Sequence, residues 1–102
     1  MEVIRADYNT AAGVVEGVIV KWVGFSIIMV TGAKGFLACP AIDAIKCGEY
    51  DAAAAIVESS ADSPIGTLER FADRKITQAN DKAKELGIKE GMLAGDAYVL
   101  IA

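Results

Sequence analysis

The strongest constraint on this chain is a pair of β-rich runs three residues apart, VVEGVIVKW over 14–22 and SIIMVT over 26–31. β-Branched residues suit a pleated, half-buried surface, so both runs read as strands. Alternation then sorts their side chains. In the first run one face offers Val14, Val18, Val20 and Trp22 with Glu16, and the other offers Val15 and Ile19 with Gly17 and Lys21. In the second, Ile27 and Met29 point one way, Ile28 and Val30 the other. An antiparallel sheet with one wet face alternates apolar and polar residues. Here both faces are apolar, and both need cover.

The flanking segments extend this ribbon. Val3, Ile4 and Tyr8 mark a strand over 2–8, followed by turn chemistry from Asn9 to Gly13. Gly32-Ala33-Lys34-Gly35 has the length and glycines of a hairpin loop, with a short strand from Phe36 to Ala38 after it. The first third is therefore an antiparallel meander of about four strands. Pro40 suits a first helical position and Gly48 the residue beyond a helix, which predicts a short helix over 40–47 with Asp43 and Lys46 paired at i,i+3. The run AAAAIVES, 52–59, mixes alanine with Ile-Val; bounded by Gly48 and a serine-rich segment, it reads as one further strand centred on 53–58.

Ser63-Pro64 has the form of a helix start. Apolar residues at helical spacing from Ile65 to Leu86 are compatible with a single helix over 64–86. The apolar-free Asp73-Arg74-Lys75 and the N-cap residue Asn80 favour two helices instead, 64–72 and 81–86, with an extended piece near 75–78. Gly87 closes the second. The tail LAGDAYVLI, 93–101, ends in residues that locally prefer strand. The fold class is α+β: a β-meander of about four strands plus one further strand, packed with three or four short helices. The length of 102 residues suits a single domain over 1–102, burying roughly 60–68% of its unfolded surface.

Composition bounds the chemistry. There is no histidine, which removes Ser-His and Cys-His catalytic arrangements and any zinc site with an imidazole ligand. Ten basic residues face 14 acidic ones, for a net charge of −4, and that balance argues against nucleic acid as a partner. Arg70, Arg74, Lys75, Lys82, Lys84 and Lys89 are interleaved with acids, as on a solvated helical face. Glu2, Arg5 and Asp7 rule out a signal-peptide core in the first residues. The central charge-free apolar stretch, Trp22 to Ala33, has 12 residues against the roughly 20 of a membrane span. Cys39 and Cys47, eight residues apart, lie roughly 12 Å apart if helical, beyond the roughly 7 Å of a disulfide. A soluble protein of the reducing cytoplasm is the expectation.

GFLACPAID (35–43), AAAIV (53–57) and AKELGIKEGMLAGDA (83–97) resemble the YunC-like proteins, domain-of-unknown-function family 1805. In that family a glycine-aromatic strand runs into a cysteine and then an Asp or Asn, and an Ala-rich strand follows. The resemblance spans roughly residues 14–101, with Leu86-Gly87-Ile88, Gly91-Met92 and Gly95 as its most specific part. Pro40 stands where the family usually has glycine. The resemblance implies a small α+β fold and a helical ending over 95–101. It implies no activity, because the family is uncharacterised.

Cys39 is the candidate catalytic residue. At the end of a strand and the start of a helix, its thiol feels the positive end of a helix dipole and can become a nucleophile; the competing reading is a small buried hydrophobe. Lys34, Asp43 and Ser63 are candidate ligand-binding residues. Lys34 stands beside a helix start whose free amides suit an anion. Asp43 belongs to a set of acids, with Glu49, Asp51 and Glu58, that suits a hard cation or a solvated surface. Ser63 belongs to the hydroxyl-rich segment Ser59, Ser60, Asp62, Ser63 and Thr67, which suits a phosphate or simple capping. Neither GxxxxGK nor GxGxxG is present, and no cofactor or metal is expected. A few short helices cover one face of the ribbon, and a large uncovered apolar face marks association. A homo-oligomer through a sheet face, with Trp22 and Met29 among its contacts, is therefore expected. The functional expectation is a self-associating module that binds a small ligand or protein partner. The alternative is a thiol-dependent enzyme or redox sensor using Cys39.

Overall fold

Strands β1 (Glu2–Thr10), β2 (Gly13–Trp22), β3 (Phe25–Thr31) and β4 (Phe36–Ala38) form the antiparallel meander in a computed structural model that describes residues 1–102. Strand β5 (Ala54–Val57) then pairs parallel to β4, and β6 (Ile76–Ala79) antiparallel to β5, giving one sheet in the order β1 to β6. The helices are α1 (Ala44–Gly48), α2 (Leu68–Phe71), α3 (Asp81–Glu85) and α4 (Ala94–Ile101). The architecture is α+β, with a mostly antiparallel, open sheet.

Although few of its residues are apolar, β1 pairs along its whole length, from Glu2 opposite Lys21 to Thr10 opposite Gly13. The Thr10 hydroxyl locks the turn: Oγ1 donates to the Gly13 carbonyl at 2.7 Å and accepts the Ala12 N–H at 3.1 Å. Register aligns Gly17 with Val30, Ile19 with Ile28 and Val30 with Leu37 on one face. That face carries the main core, where Ile65, Leu68, Phe71, Ala97 and Ile101 pack against it. Two glycines permit close approach. A Cβ on Gly17 would sit 2.8 Å from Leu68 Cδ2, and one on Gly32 would collide with the Ile101 carbonyl. The same carbonyl accepts the Lys34 N–H at 2.8 Å, fastening the end of α4 to the β3–β4 loop.

The opposite face is covered only in part. Ala44 of α1 packs on Ala54 and Ile56, with Phe36, Ile42 and Cys47 at the margin. Over β1–β3 no element lies on this side. Val14 (56% exposed) and Trp22 (43%) are open to solvent, while Val18, Val20, Ile27 and Met29 are half-buried. Arg5, Asp7 and Glu16 share this face by register, and Arg5 and Glu16 form an exposed ion pair at 3.5 Å.

Several expected boundaries move. Residues 40–42 form a turn, with the Ile42 N–H donating to the Cys39 carbonyl at 3.1 Å, and α1 starts four residues after Pro40. Asp43 is its N-cap: Oδ1 accepts from the Ile45 and Lys46 amides at 3.0 and 3.1 Å. The helix expected over 64–72 shrinks to α2, because Gly66 adopts φ +73° and Thr67, not Ser63, caps the helix through the Arg70 amide. The extended piece near 75–78 is a sixth strand. Its outer edge is partly closed by Gly91–Leu93, whose backbone exchanges bonds with Ile76 at 2.7 and 2.8 Å and bridges Leu93 to Lys75. Residues 94–101 are helix despite the local strand preference of Tyr-Val-Leu-Ile, since Ala94, Ala97, Tyr98 and Ile101 bury one side on the core.

Candidate functional site

The main core row ends in polar residues. Along β2 the sequence Val15, Gly17, Ile19 continues to Lys21, and along β3 Val30, Ile28 continues to Ser26, which pairs with Lys21. Beyond Ile28 the β2–β3 hairpin projects past the helices, and the loop 59–66 stands across from it. Between them opens a cleft of about 700 Å³. Ile28, Ile65 and Cys39 line it with the Trp22–Phe25 pair, whose rings meet edge-on at 5.5 Å.

The loop wall is built by its own side chains. Ser59 Oγ accepts the Ile65 N–H and Ser60 Oγ accepts the Ser63 N–H, each at 3.1 Å. Arg74 fastens the outer side of the loop, donating to the Ser63 carbonyl at 2.8 Å, the Pro64 carbonyl at 3.0 Å and the Ser63 hydroxyl at 3.3 Å. A guanidinium fork is suited to gathering several carbonyls at once.

The sequence candidates separate in space. Cys39 (7% exposed) and Trp22 both line the cleft. Cys39 follows β4 directly, its N–H donating to the Ile28 carbonyl at 3.0 Å. It does not stand at a helix start. The nearest, at α1, begins five residues on and is capped by the Asp43 carboxylate, so the strand-end thiol does not sit at the end of a helix dipole. Lys34 is exposed in the loop that receives α4, away from the cleft. Asp43 serves the α1 cap, and exposed Ser63 serves the Arg74 staple. Met29 lies on the opposite, open face. No three Asp, Glu or Cys side chains converge in a metal-binding arrangement. Sequence reasoning passed over Lys21, Ser26 and Phe25. The available signal was that Lys21 and Ser26 interrupt otherwise apolar rows and that register sets them side by side.

A second unusual group lies in the core. Tyr98 Oη is buried without a hydrogen-bond partner, its ring 5.7 Å from that of Tyr8. Burial, then the neighbouring Tyr8 and Asp73, push the Tyr98 phenol well above its ordinary range. Tyr8 is raised more weakly, by burial and then by Glu69.

The fold is a small α+β architecture with a mostly antiparallel, open sheet and a cleft beside the β2–β3 hairpin. The chain belongs to the family described as "Domain of unknown function (DUF1805)", whose model matches residues 38–100, from the end of β4 through α4. The match leaves the β1–β3 ribbon outside it, a shorter span than the sequence resemblance suggests. No curated protein matches the chain. Among solved structures it is similar to a protein of unknown function, TA1206 from Thermoplasma acidophilum, with a TM-score of 0.84 at 15% identity over 99% of this chain and 94% of that one. At that identity the likeness is one of fold. The function of this chain is not assigned by either relation.

Proposed function

We propose that this chain is a self-associating module, its copies joined through the open face of β1–β3. The observation that carries this reading is the half-exposed row Val18, Val20, Ile27 and Met29, which no helix of the chain covers. Single exposed hydrophobes are ordinary, but a contiguous patch rimmed by polar groups marks an association site. A second copy is the occupant that fits best, because the patch carries both signs of charge, Arg5 beside Asp7 and Glu16. Two-fold related copies can set Arg5 of one against Asp7 of the other while the apolar rows meet between them. Met29 at the apolar centre and Trp22 at the hairpin end are the proposed contacts. Cys39 and Cys47 are both unpaired, which suits a reducing compartment such as the cytoplasm. No helix is long and apolar enough to cross a membrane.

Met29→Lys tests the reading. A half-buried position on the sheet surface tolerates lysine in a lone copy, because its stem lies along the sheet and its charge reaches water. The expected result is a folded variant of unchanged circular dichroism that sediments more slowly than the parent. An unchanged sedimentation coefficient refutes association through this face.

The thiol reading keeps one supporting observation, the place of Cys39 on the cleft wall. Alkylation rate against pH decides it: a nucleophilic thiol labels in the native state at neutral pH.

A further inference from the structure

We infer that the cleft is a binding site for a small molecule with an apolar, ring-bearing body and a single anionic head, a carboxylate above all. Three independent features of the cleft point the same way.

The first is charge. The chain has 14 acidic residues against 10 basic, yet no Asp or Glu is among the residues lining the cleft, and Lys21 is among them. An acid-free concavity on an acidic protein favours an anion over a cation. The second is hydrogen-bond bookkeeping. The Ser59 and Ser60 oxygens already accept backbone N–H groups, and neither hydroxyl donates to any protein acceptor. Ser26 and the Trp22 indole N–H are solvent-facing groups on the same walls, so these walls offer donors that a ligand acceptor can engage in place of water. The third is shape. Ile28 and Ile65 supply apolar floor, and Trp22 and Phe25 present ring surfaces at the hairpin end. Ring-lined apolar walls with a few converging polar groups are the usual construction of a small-molecule site, and about 700 Å³ is ample for a ligand of ten to fifteen non-hydrogen atoms.

These features set the orientation. The apolar, ring-bearing body lies over Ile28 and Ile65, inward of the Lys21–Ser26 rung, and the carboxylate meets the Lys21 ammonium at the rim beside Trp22 and Phe25, where Ser26 stands opposite on the paired strand. The site adjoins the self-association face at Trp22, which continues the Val18–Val20 row, while its polar end lies on the other row. Lys21 and Ser26 belong to the core-side row of the sheet, Val18 and Met29 to the other.

Trp22, the sole tryptophan, is a built-in reporter. Titrating the full chain with 4-phenylbutyrate, and separately with its neutral analogue 4-phenylbutanol, reads the site through Trp22 emission. The expected result is a saturable change with the carboxylate, at a dissociation constant about fivefold or more below that of the alcohol. Lys21→Met removes that difference, because Lys21 is exposed and its loss leaves the core untouched. Lys34→Met, an equal change of charge at a distant loop, preserves it. Amide shifts in the nitrogen-15 spectrum fall on Lys21–Ile28, Cys39 and Ser59–Gly66. Equal affinity for acid and alcohol, equal behaviour of the two lysine variants, or no saturable response to either compound up to about 10 mM overturns the inference.

Discussion

The side chain of Asn80 reaches back 36 residues to donate from Nδ2 to the Ala44 carbonyl at 2.8 Å. The same amide donates to the Ala52 carbonyl at 2.8 Å, while Oδ1 accepts the Ala54 N–H at 3.2 Å and the Ala83 N–H at 3.0 Å. Asn80 therefore caps α3 and ties α1 and the start of β5 to it, with only 4% of its surface exposed. A buried amide with every donor and acceptor engaged leaves several orphans when removed. Asn80→Ala is expected to cost about 3 kcal/mol in denaturant unfolding, and Asn80→Asp more, since a carboxylate oxygen then faces two carbonyls.

Gly32 and Gly24 are both loop glycines with different reasons for being glycine. A Cβ on Gly32 meets the Ile101 backbone, whereas one on Gly24 meets nothing within 4 Å and only the φ of +84° opposes it. Gly32→Ala is expected to cost about 2–3 kcal/mol and to speed amide exchange in α4. Gly24→Ala costs about 1 kcal/mol and leaves α4 exchange unchanged.

Tyr98 links stability to alkaline pH. Its folded-state pKa is raised above the unfolded value, so the stabilisation is fully present below about pH 10 and is lost as pH rises beyond it. The expected slope above pH 10 is up to about 1.4 kcal/mol per pH unit, with a smaller share from Tyr8. Tyr98→Phe removes the buried orphan hydroxyl, and its stability at pH 7 is expected to match or exceed the parent's by about 1 kcal/mol, with a flatter alkaline limb. Thermal melts from pH 7 to 12 measure both.

Edge strand β1 carries Glu2, Arg5 and Asp7, with no strand beyond it. Charges on an edge discourage intermolecular pairing. Arg5→Val with Asp7→Val is expected to raise the aggregation rate in light scattering severalfold. Unfolding free energy changes by about 1 kcal/mol at most, because the Arg5–Glu16 pair is exposed.

Local chemistry disclosed much of this fold. The β-branched runs and their glycine breaks gave β2 and β3, and Asn80 announced α3. Tertiary context decided the rest. Pro40 offers a helix start, but the Asp43 carboxylate provides a better one three residues later. Ser63-Pro64 has the pattern of a cap, yet Arg74, eleven residues on, holds that carbonyl in a loop. Parallel pairing of β5 with β4 depends on how residues 39–53 cross over, which no local pattern encodes. The cleft was hidden for a related reason: its two facing walls, the β2–β3 hairpin and the loop 59–66, are brought together only by the tertiary fold.

Sedimentation velocity of the full chain, from about 1 to 100 µM, addresses the self-association reading most directly. The account expects a species of at least twice 10.7 kDa that gives way to the single-copy mass on dilution or in Met29→Lys. A lone 10.7 kDa species across that range contradicts it.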